Sequence, residues 1–80
     1  MSIKEVLEKY AVILTAVDLI GCGDEVAREL EILKRIFRSK YKNKLKNSRG
    51  IEEFLKRYGN EMIDPDVEER VVSLYRLLSF

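Results

Sequence analysis

A run of basic side chains between Lys34 and Arg49 carries the most distinctive chemistry in this chain of 80 residues. Eight of these sixteen positions are Lys or Arg, and none is Asp or Glu. Clustered ammonium and guanidinium groups bind phosphates, because each contact releases a condensed counterion. This basic segment (residues 34–49) therefore predicts a surface that binds an anionic partner.

One aromatic residue, Tyr41, stands among these cations. A tyrosine ring offers a face on which a nucleic-acid base can stack, and basic side chains on either side of it can follow the sugar-phosphate backbone. The residues predicted to bind nucleic acid, or an acidic protein partner, are Arg35, Arg38, Lys40, Tyr41, Lys42, Lys44, Lys46 and Arg49.

The helix predicted after the basic segment argues against sequence-specific binding. A helix-turn-helix protein brings the first residues of its recognition helix close to the DNA. Here those residues would be Glu52 and Glu53, and two carboxylates at that place repel phosphates. The predicted function is therefore non-specific contact with nucleic acid through the basic segment.

The rest of the chain is acidic. Residues 1–33 hold three basic and seven acidic groups, a balance of −4, and residues 50–80 hold four and seven, a balance of −3. With +8 from the basic segment, the formal net charge is only +1. A second interpretation thus stays open, in which the basic segment is a solvated helix face whose charges pair with this acidic remainder.

Few residues could perform catalysis. The chain has no histidine and a single cysteine, Cys22, so it lacks histidine acid–base chemistry, histidine-based zinc sites and intramolecular disulfides. Asp18 has no second catalytic candidate beside it, and the glycines around Cys22 match neither a Walker nor a dinucleotide-binding pattern. The sequence predicts a non-enzymatic protein with no catalytic residue, metal or cofactor.

Hydrophobic periodicity predicts the helices that would position the basic segment. Apolar residues recur with the 3.6-residue period over four stretches, and capping signals such as Ser2 with Glu5 mark helix starts. The turn at Gly21 predicts that the first two helices pair as an antiparallel hairpin. The sequence predicts one all-α domain, residues 1–80, folded as a small four-helix bundle with a short third helix. The predicted helices are 3–20, 25–40 or longer, 51–58 and 65–79.

The end of the second predicted helix decides how the basic segment is exposed. An unbroken helix would place Lys40 and Lys44 on the apolar face that begins earlier in that helix. Ammonium groups in a core carry a large desolvation cost. Either the helix ends within residues 39–42 or it projects beyond the domain, and both options predict that residues 39–49 are exposed.

The first and fourth predicted helices are apolar around more of their circumference than one neighbour covers. Such surfaces are typical of protein interfaces. The alternative function is therefore a helical adaptor or accessory subunit that docks on a larger protein, including one that processes nucleic acid; a homodimer is another way to cover them. The predicted partner-binding residues are Val72, Tyr75, Leu77 and Phe80.

The N-terminal region matches no signal peptide, and the apolar run from Tyr10 to Leu14 is too short to span a bilayer. We therefore expect a cytoplasmic protein with no membrane partner. The chain also lacks glutamine and is rich in Lys, Arg and Glu, a balance typical of proteins from hot environments.

Overall fold

A computed structural model describes residues 1–78 of the chain and contains five helices within them. This confirms the all-α prediction and adds one short helix that the sequence did not predict. Phe80, at the end of the predicted partner surface, lies outside the described residues. The helices are α1 (Ile3–Ile20), α2 (Asp24–Lys40), α3 (Lys42–Lys46), α4 (Ile51–Tyr58) and α5 (Pro65–Leu77).

Local hydrogen bonds explain where the helices begin. The Ser2 hydroxyl accepts from the backbone N–H of Glu5 at 3.2 Å, and the Glu5 carboxylate accepts from the Ser2 N–H at 3.3 Å, which completes the predicted capping box. The Asp64 carboxylate accepts from the N–H of Asp66 at 2.9 Å at the start of α5. Each side chain satisfies a backbone donor that has no partner inside its helix.

The helix α5 is the central helix of the fold. It packs against both α1 and α2, and its buried face consists of Val67, Val71 and Leu74. No Cα atom of α1 comes within 8 Å of one in α2. The expectation that α1 and α2 pack directly on each other as a hairpin is therefore wrong, because α5 makes the contact with each of them that they were expected to make with one another.

Contacts between the helices define how they run relative to α5. The Lys9 ammonium of α1 lies 4.6 Å from the centre of the Tyr75 ring, near the far end of α5. On the other side, Arg70 of α5 reaches Glu29 of α2 at 3.8 Å. Lys40, at the end of α2, contacts Asp64 before α5 begins. The Met1 carbonyl, at the start of α1, accepts from the N–H of Ile63 at 3.0 Å, also before α5 begins. Hence α1 runs parallel to α5 and α2 runs antiparallel to it, so α1 and α2 are antiparallel to each other as predicted.

An aromatic cluster closes the end of the fold where α2, α3 and α4 meet. Phe54 of α4 is fully buried, and its ring lies 6.1 Å from that of Phe37 and 5.6 Å from that of Tyr58. These separations are typical of favourable aromatic pairs. Through Phe54, the cluster packs α4 against Phe37 and Tyr41 at the end of α2. The turn of the basic segment lies at this contact.

Backbone hydrogen bonds hold the connector between α4 and α5 against the start of α1. The N–H groups of Ile3 and Lys4 donate to the carbonyls of Glu61 and Gly59, both at 2.9 Å. Residues 59–63 are thereby held beside the basic segment, and Glu61 is placed where a lysine can reach it.

Candidate nucleic-acid interface and apolar cleft

The basic segment is divided by a turn at Tyr41. Helix α2 ends at Lys40, and α3 begins at Lys42 after Tyr41 adopts φ −110° and ψ 18°. The first of the two options for the helix end is therefore correct. The prediction that residues 39–49 are all exposed is correct only in part, because α3 folds back toward α4 and Tyr41 is buried.

The position of Tyr41 differs from what a stacking role requires. Its side chain is only 7% exposed, and its ring stacks on Phe37 with centroids 4.8 Å apart. The Tyr41 hydroxyl accepts a hydrogen bond from the backbone N–H of Asp64 at 2.8 Å. This residue therefore anchors the turn to the core and to the start of α5, and its ring offers no open face to a base.

Two of the predicted binding lysines form ion pairs with the acidic connector. The ammonium group of Lys40 lies 3.2 Å from the Asp64 carboxylate, and that of Lys44 lies 2.6 Å from Glu61. Lys44 also lies 5.2 Å from the centre of the Tyr58 ring. These contacts explain how the two lysines avoid the core, where an unbroken α2 would have placed them.

The pKa values of this cluster follow from its hydrogen bonds. The hydrogen bond to Glu61 raises the pKa of Lys44, with a smaller opposing effect from desolvation. Desolvation acts to raise the pKa of Asp64, but hydrogen bonds from Lys40 and from two backbone N–H groups together lower it. Both shifts favour the charged forms, so the contacts stabilise the folded arrangement near neutral pH.

Five other basic residues of the segment have no acidic partner. Within residues 1–78, no carboxylate lies within 4.0 Å of their charged atoms, and all five side chains are exposed. Lys34 has only a long contact of 3.8 Å with Glu31. These unpaired cations are Arg35, Arg38, Lys42, Lys46 and Arg49.

Helical spacing separates the paired lysines from the unpaired ones. Lys42 and Lys46 are four residues apart and share one side of α3, whereas Lys44 falls on the opposite side, toward Glu61. Arg35 and Arg38 are three residues apart and neighbour each other on α2. Four of the five unpaired cations therefore form two short rows, one on each side of the turn, and Arg49 lies after the end of α3.

A second feature, which sequence reasoning missed, is an apolar cleft of about 600 Å³ between α1 and α2. Leu7 and Leu14 of α1 face Phe37 of α2 across it, while Leu55 of α4 and Val71 of α5 complete its lining. The cleft exists because α5 holds α1 and α2 apart. Hydrophobic periodicity shows which face of each helix is apolar. It does not show that the apolar faces of α1 and α2 lie apart from each other in the fold.

Charged groups stand at the edge of this cleft. Lys4 and Glu8 of α1 and Lys34 and Arg38 of α2 contribute to its lining. Tyr10 also lines it; burial raises the pKa of Tyr10, as does the charge of Glu31, while Arg38 opposes the change. Arg38 thus belongs both to the unpaired cations and to the cleft.

The predicted partner-binding residues are not equally accessible. Val72 and Tyr75 are half-buried, and the Tyr75 ring contacts Lys9. Leu77 is 49% exposed. The most exposed large apolar side chains among the described residues belong to α1, where Leu19 and Ile20 are 78% and 77% exposed.

The described residues contain no arrangement typical of a metal site. No three His, Cys, Asp or Glu side chains in residues 1–78 converge on a point that could hold a metal ion. Cys22 and Asp18 are both exposed. None of the helices in this range combines the length and hydropathy needed to cross a membrane.

Comparison with models of known protein families, with curated protein sequences and with solved structures finds no match for this chain. Its function must therefore be argued from its own residues and their geometry.

Proposed function

We propose that this protein binds nucleic acid non-specifically through the unpaired cations of the basic segment. The observation that supports this most directly is that five exposed basic side chains within fifteen positions have no acidic partner among residues 1–78, although the chain has 14 acidic residues. Such uncompensated charge attracts phosphates, and each contact gains affinity by releasing a counterion.

Three of the residues first considered for binding have a different role in this proposal. Lys40 and Lys44 stabilise the fold through Asp64 and Glu61, so they do not belong to the binding set. Tyr41 anchors the turn. The proposed binding residues are Arg35, Arg38, Lys42, Lys46 and Arg49.

The burial of Tyr41 also predicts which form of nucleic acid binds better. Binding to single strands usually depends on aromatic rings that stack with bases, and the ring of Tyr41 is inaccessible. Affinity then depends on phosphates alone, and a duplex releases about 0.9 counterions per phosphate contact whereas a single strand releases about 0.7. We expect duplex DNA to bind more tightly than single-stranded DNA of the same length.

The direct test is fluorescence anisotropy with labelled duplex DNA of mixed sequence at low salt. The test variant is the triple substitution Arg35→Glu, Lys42→Glu and Lys46→Glu, none of which removes an ion pair. We expect it to weaken binding at least tenfold, because it replaces attraction with repulsion at three proposed contacts.

A matched control changes the net charge by the same amount elsewhere. Arg28, Lys56 and Arg76 are exposed and lie outside the basic segment. Their triple replacement by Glu is expected to weaken binding much less. The proposal fails if the unaltered chain binds no nucleic acid at low salt, or if the two triple variants lose affinity equally.

A second candidate function is docking on a larger protein, because Leu19 and Ile20 expose more than three quarters of their side chains. Exposed apolar side chains of this size are typical of interaction sites when they form a patch. A pull-down with nuclease treatment at low and high salt tests this. A partner retained under both conditions, and lost on Leu19→Ser with Ile20→Ser, supports docking; a partner released by nuclease argues for nucleic acid as the bridge.

A further inference from the structure

The cleft between α1 and α2 has the properties of a small-molecule site. Its volume of about 600 Å³ falls within the range of about 300 to 1,000 Å³ that is usual for such sites. Its lining is predominantly apolar and comes from four helices, including Leu14 of α1, Phe37 of α2, Leu55 of α4 and Val71 of α5. Sites of this kind bind the apolar part of a ligand by excluding water.

The charged side chains that line the cleft indicate which charge the polar group of a ligand would carry. Three cations, Lys4, Lys34 and Arg38, contribute to the cleft, against one carboxylate, that of Glu8. Lys34 and Arg38 are four residues apart and neighbour each other on α2. Lys34 lies 3.8 Å from the Glu31 carboxylate, which offsets part of its charge, whereas neither Lys4 nor Arg38 has a carboxylate within 4.0 Å in residues 1–78. The cleft is thus complementary to a negative group.

A hydroxyl group adds a hydrogen-bond donor at the same place. Tyr10 lines the cleft, and burial raises the pKa of its hydroxyl, with Glu31 and Arg38 acting in opposite directions on it. The hydroxyl therefore remains protonated at neutral pH. It can donate to an oxygen of a ligand held near Arg38.

We infer that this cleft binds an anionic amphiphile of the long-chain fatty acid class, with the acyl chain between α1 and α2 and the carboxylate at Arg38, Lys34 and Tyr10. The inference is independent of nucleic-acid binding, because the residues substituted to test that function do not line the cleft.

The lining of the cleft favours such a ligand. A linear acyl chain can enter between α1 and α2 and contact apolar groups on both sides, and a single carboxylate matches the excess of cations among the lining residues.

The experiment is calorimetric titration of the full chain with a series of free fatty acids, namely decanoate, dodecanoate, tetradecanoate and hexadecanoate, each below its micelle concentration. We expect affinity to rise about three- to fourfold per added methylene until the cleft is filled, because each methylene leaves water. Primary alcohols of equal chain length test the carboxylate, and we expect them to bind at least tenfold more weakly.

Two substitutions with matched controls locate the site. Ala11 lines the cleft on α1, and Ala11→Trp is expected to fill it and abolish binding at every chain length, whereas Ala27→Trp changes an exposed alanine outside the cleft. Arg38→Gln is expected to reduce the preference for carboxylate over alcohol, and Arg28→Gln on the same helix is expected to leave it unchanged. Circular dichroism melting of each variant confirms that it is folded.

Three results would overturn the inference. The first is equal affinity for fatty acids and alcohols, or binding that Ala11→Trp does not affect. The second is binding to vesicles of anionic phospholipid without any binding of free fatty acid, which indicates attraction to a charged surface. The third is a dimer by analytical ultracentrifugation that Ala11→Trp dissociates, with no fatty acid bound, which indicates that a second copy covers the cleft.

Discussion

Lys40 and Lys44 have different surroundings from Lys42 and Lys46, although the four residues alternate along one short stretch of chain. The first pair contacts carboxylates of the connector between α4 and α5. The second pair is exposed and has no acidic partner within residues 1–78. A uniform run of charge in the sequence therefore contains two groups of lysines with different effects on the protein.

The difference arises from the turn at Tyr41. Burial of its ring among Phe37 and Phe54 ends α2, and α3 then continues with a helical spacing that alternates its lysines between two sides. One side faces the connector, and the other faces solvent. A count of basic residues in the sequence therefore overestimates the charge available for binding, because Lys40 and Lys44 already pair with carboxylates within the fold.

The largest expected effect comes from removing the anchor of the turn. Tyr41→Ala deletes a buried ring and is expected to lower the free energy of unfolding by about 3 kcal/mol or more, as for other buried aromatic residues. Without this ring, the turn that directs Lys40 and Lys44 toward Asp64 and Glu61 loses its anchor in the core, so the difference between the two pairs should decrease. Chemical denaturation monitored by circular dichroism measures the change.

Tyr41→Phe is the matched control, because it keeps the ring and removes only the hydroxyl that accepts from the Asp64 N–H. Its expected effect is about 1 kcal/mol. Equal losses for Tyr41→Ala and Tyr41→Phe would contradict the view that burial of the ring is what fixes the turn.

The two pairs of lysines should also differ in nucleic-acid binding. If each of Lys42 and Lys46 contacts a phosphate, their joint replacement by Gln should reduce the slope of log affinity against log salt by roughly 2. Replacement of Lys40 and Lys44 by Gln should change the slope little. Anisotropy titrations at several salt concentrations measure both slopes, and similar slopes for the two double variants would show that the pairing with Asp64 and Glu61 does not persist in solution.

Much of the helical architecture could be predicted because its signals are local. The capping box at Ser2 and the Asp64-Pro65 helix start depend on neighbouring residues, and both are present in the fold. The conflict between apolar periodicity and Lys40 left two options for the end of α2, and the first of them, an end within residues 39–42, is the one that the fold adopts.

The candidate sites were less predictable because they depend on contacts between distant residues. Lys44 and Glu61 are seventeen positions apart, and no local pattern shows that they meet. The sequence around Tyr41 did not show whether its ring is buried in the core or exposed for stacking, since a single aromatic residue among lysines is compatible with either position. The cleft likewise depends on the position of α5 between α1 and α2.

A smaller effect on stability is expected from reversing one charge of each pair. Lys44→Glu places a carboxylate beside Glu61 and is expected to destabilise the fold by up to about 1 kcal/mol, because solvent screens an exposed pair. Lys42 has no carboxylate within 4.0 Å in the part of the chain that the structure describes, so Lys42→Glu should change stability by less than about 0.5 kcal/mol. Thermal melting of the two variants compares them directly, and a larger loss for Lys42→Glu would show that the assignment of the two sides is wrong.

The smallest expected effect is on the pH dependence of stability. Because the hydrogen bond to Glu61 raises the pKa of Lys44 in the folded state, its contribution is fully present below the unfolded pKa of about 10.4 and is lost as pH rises through the folded value. Tyr10 acts in the same direction, since burial raises its pKa and the unfolded chain ionises first. Glu5 and Asp64 have lowered pKa values, so their contributions are lost only as pH falls below the unfolded values of about 4.

Lys44→Gln should therefore make the alkaline decline in melting temperature less steep above about pH 10, by less than about 1 kcal/mol in stability. The acid side should keep its shape, because Glu5 and Asp64 are unchanged. Lys42→Gln is the matched control and should preserve both sides of the profile, since Lys42 has no acidic partner within the described residues. An identical alkaline profile for Lys44→Gln and Lys42→Gln would mean that the two sides of α3 do not differ in solution.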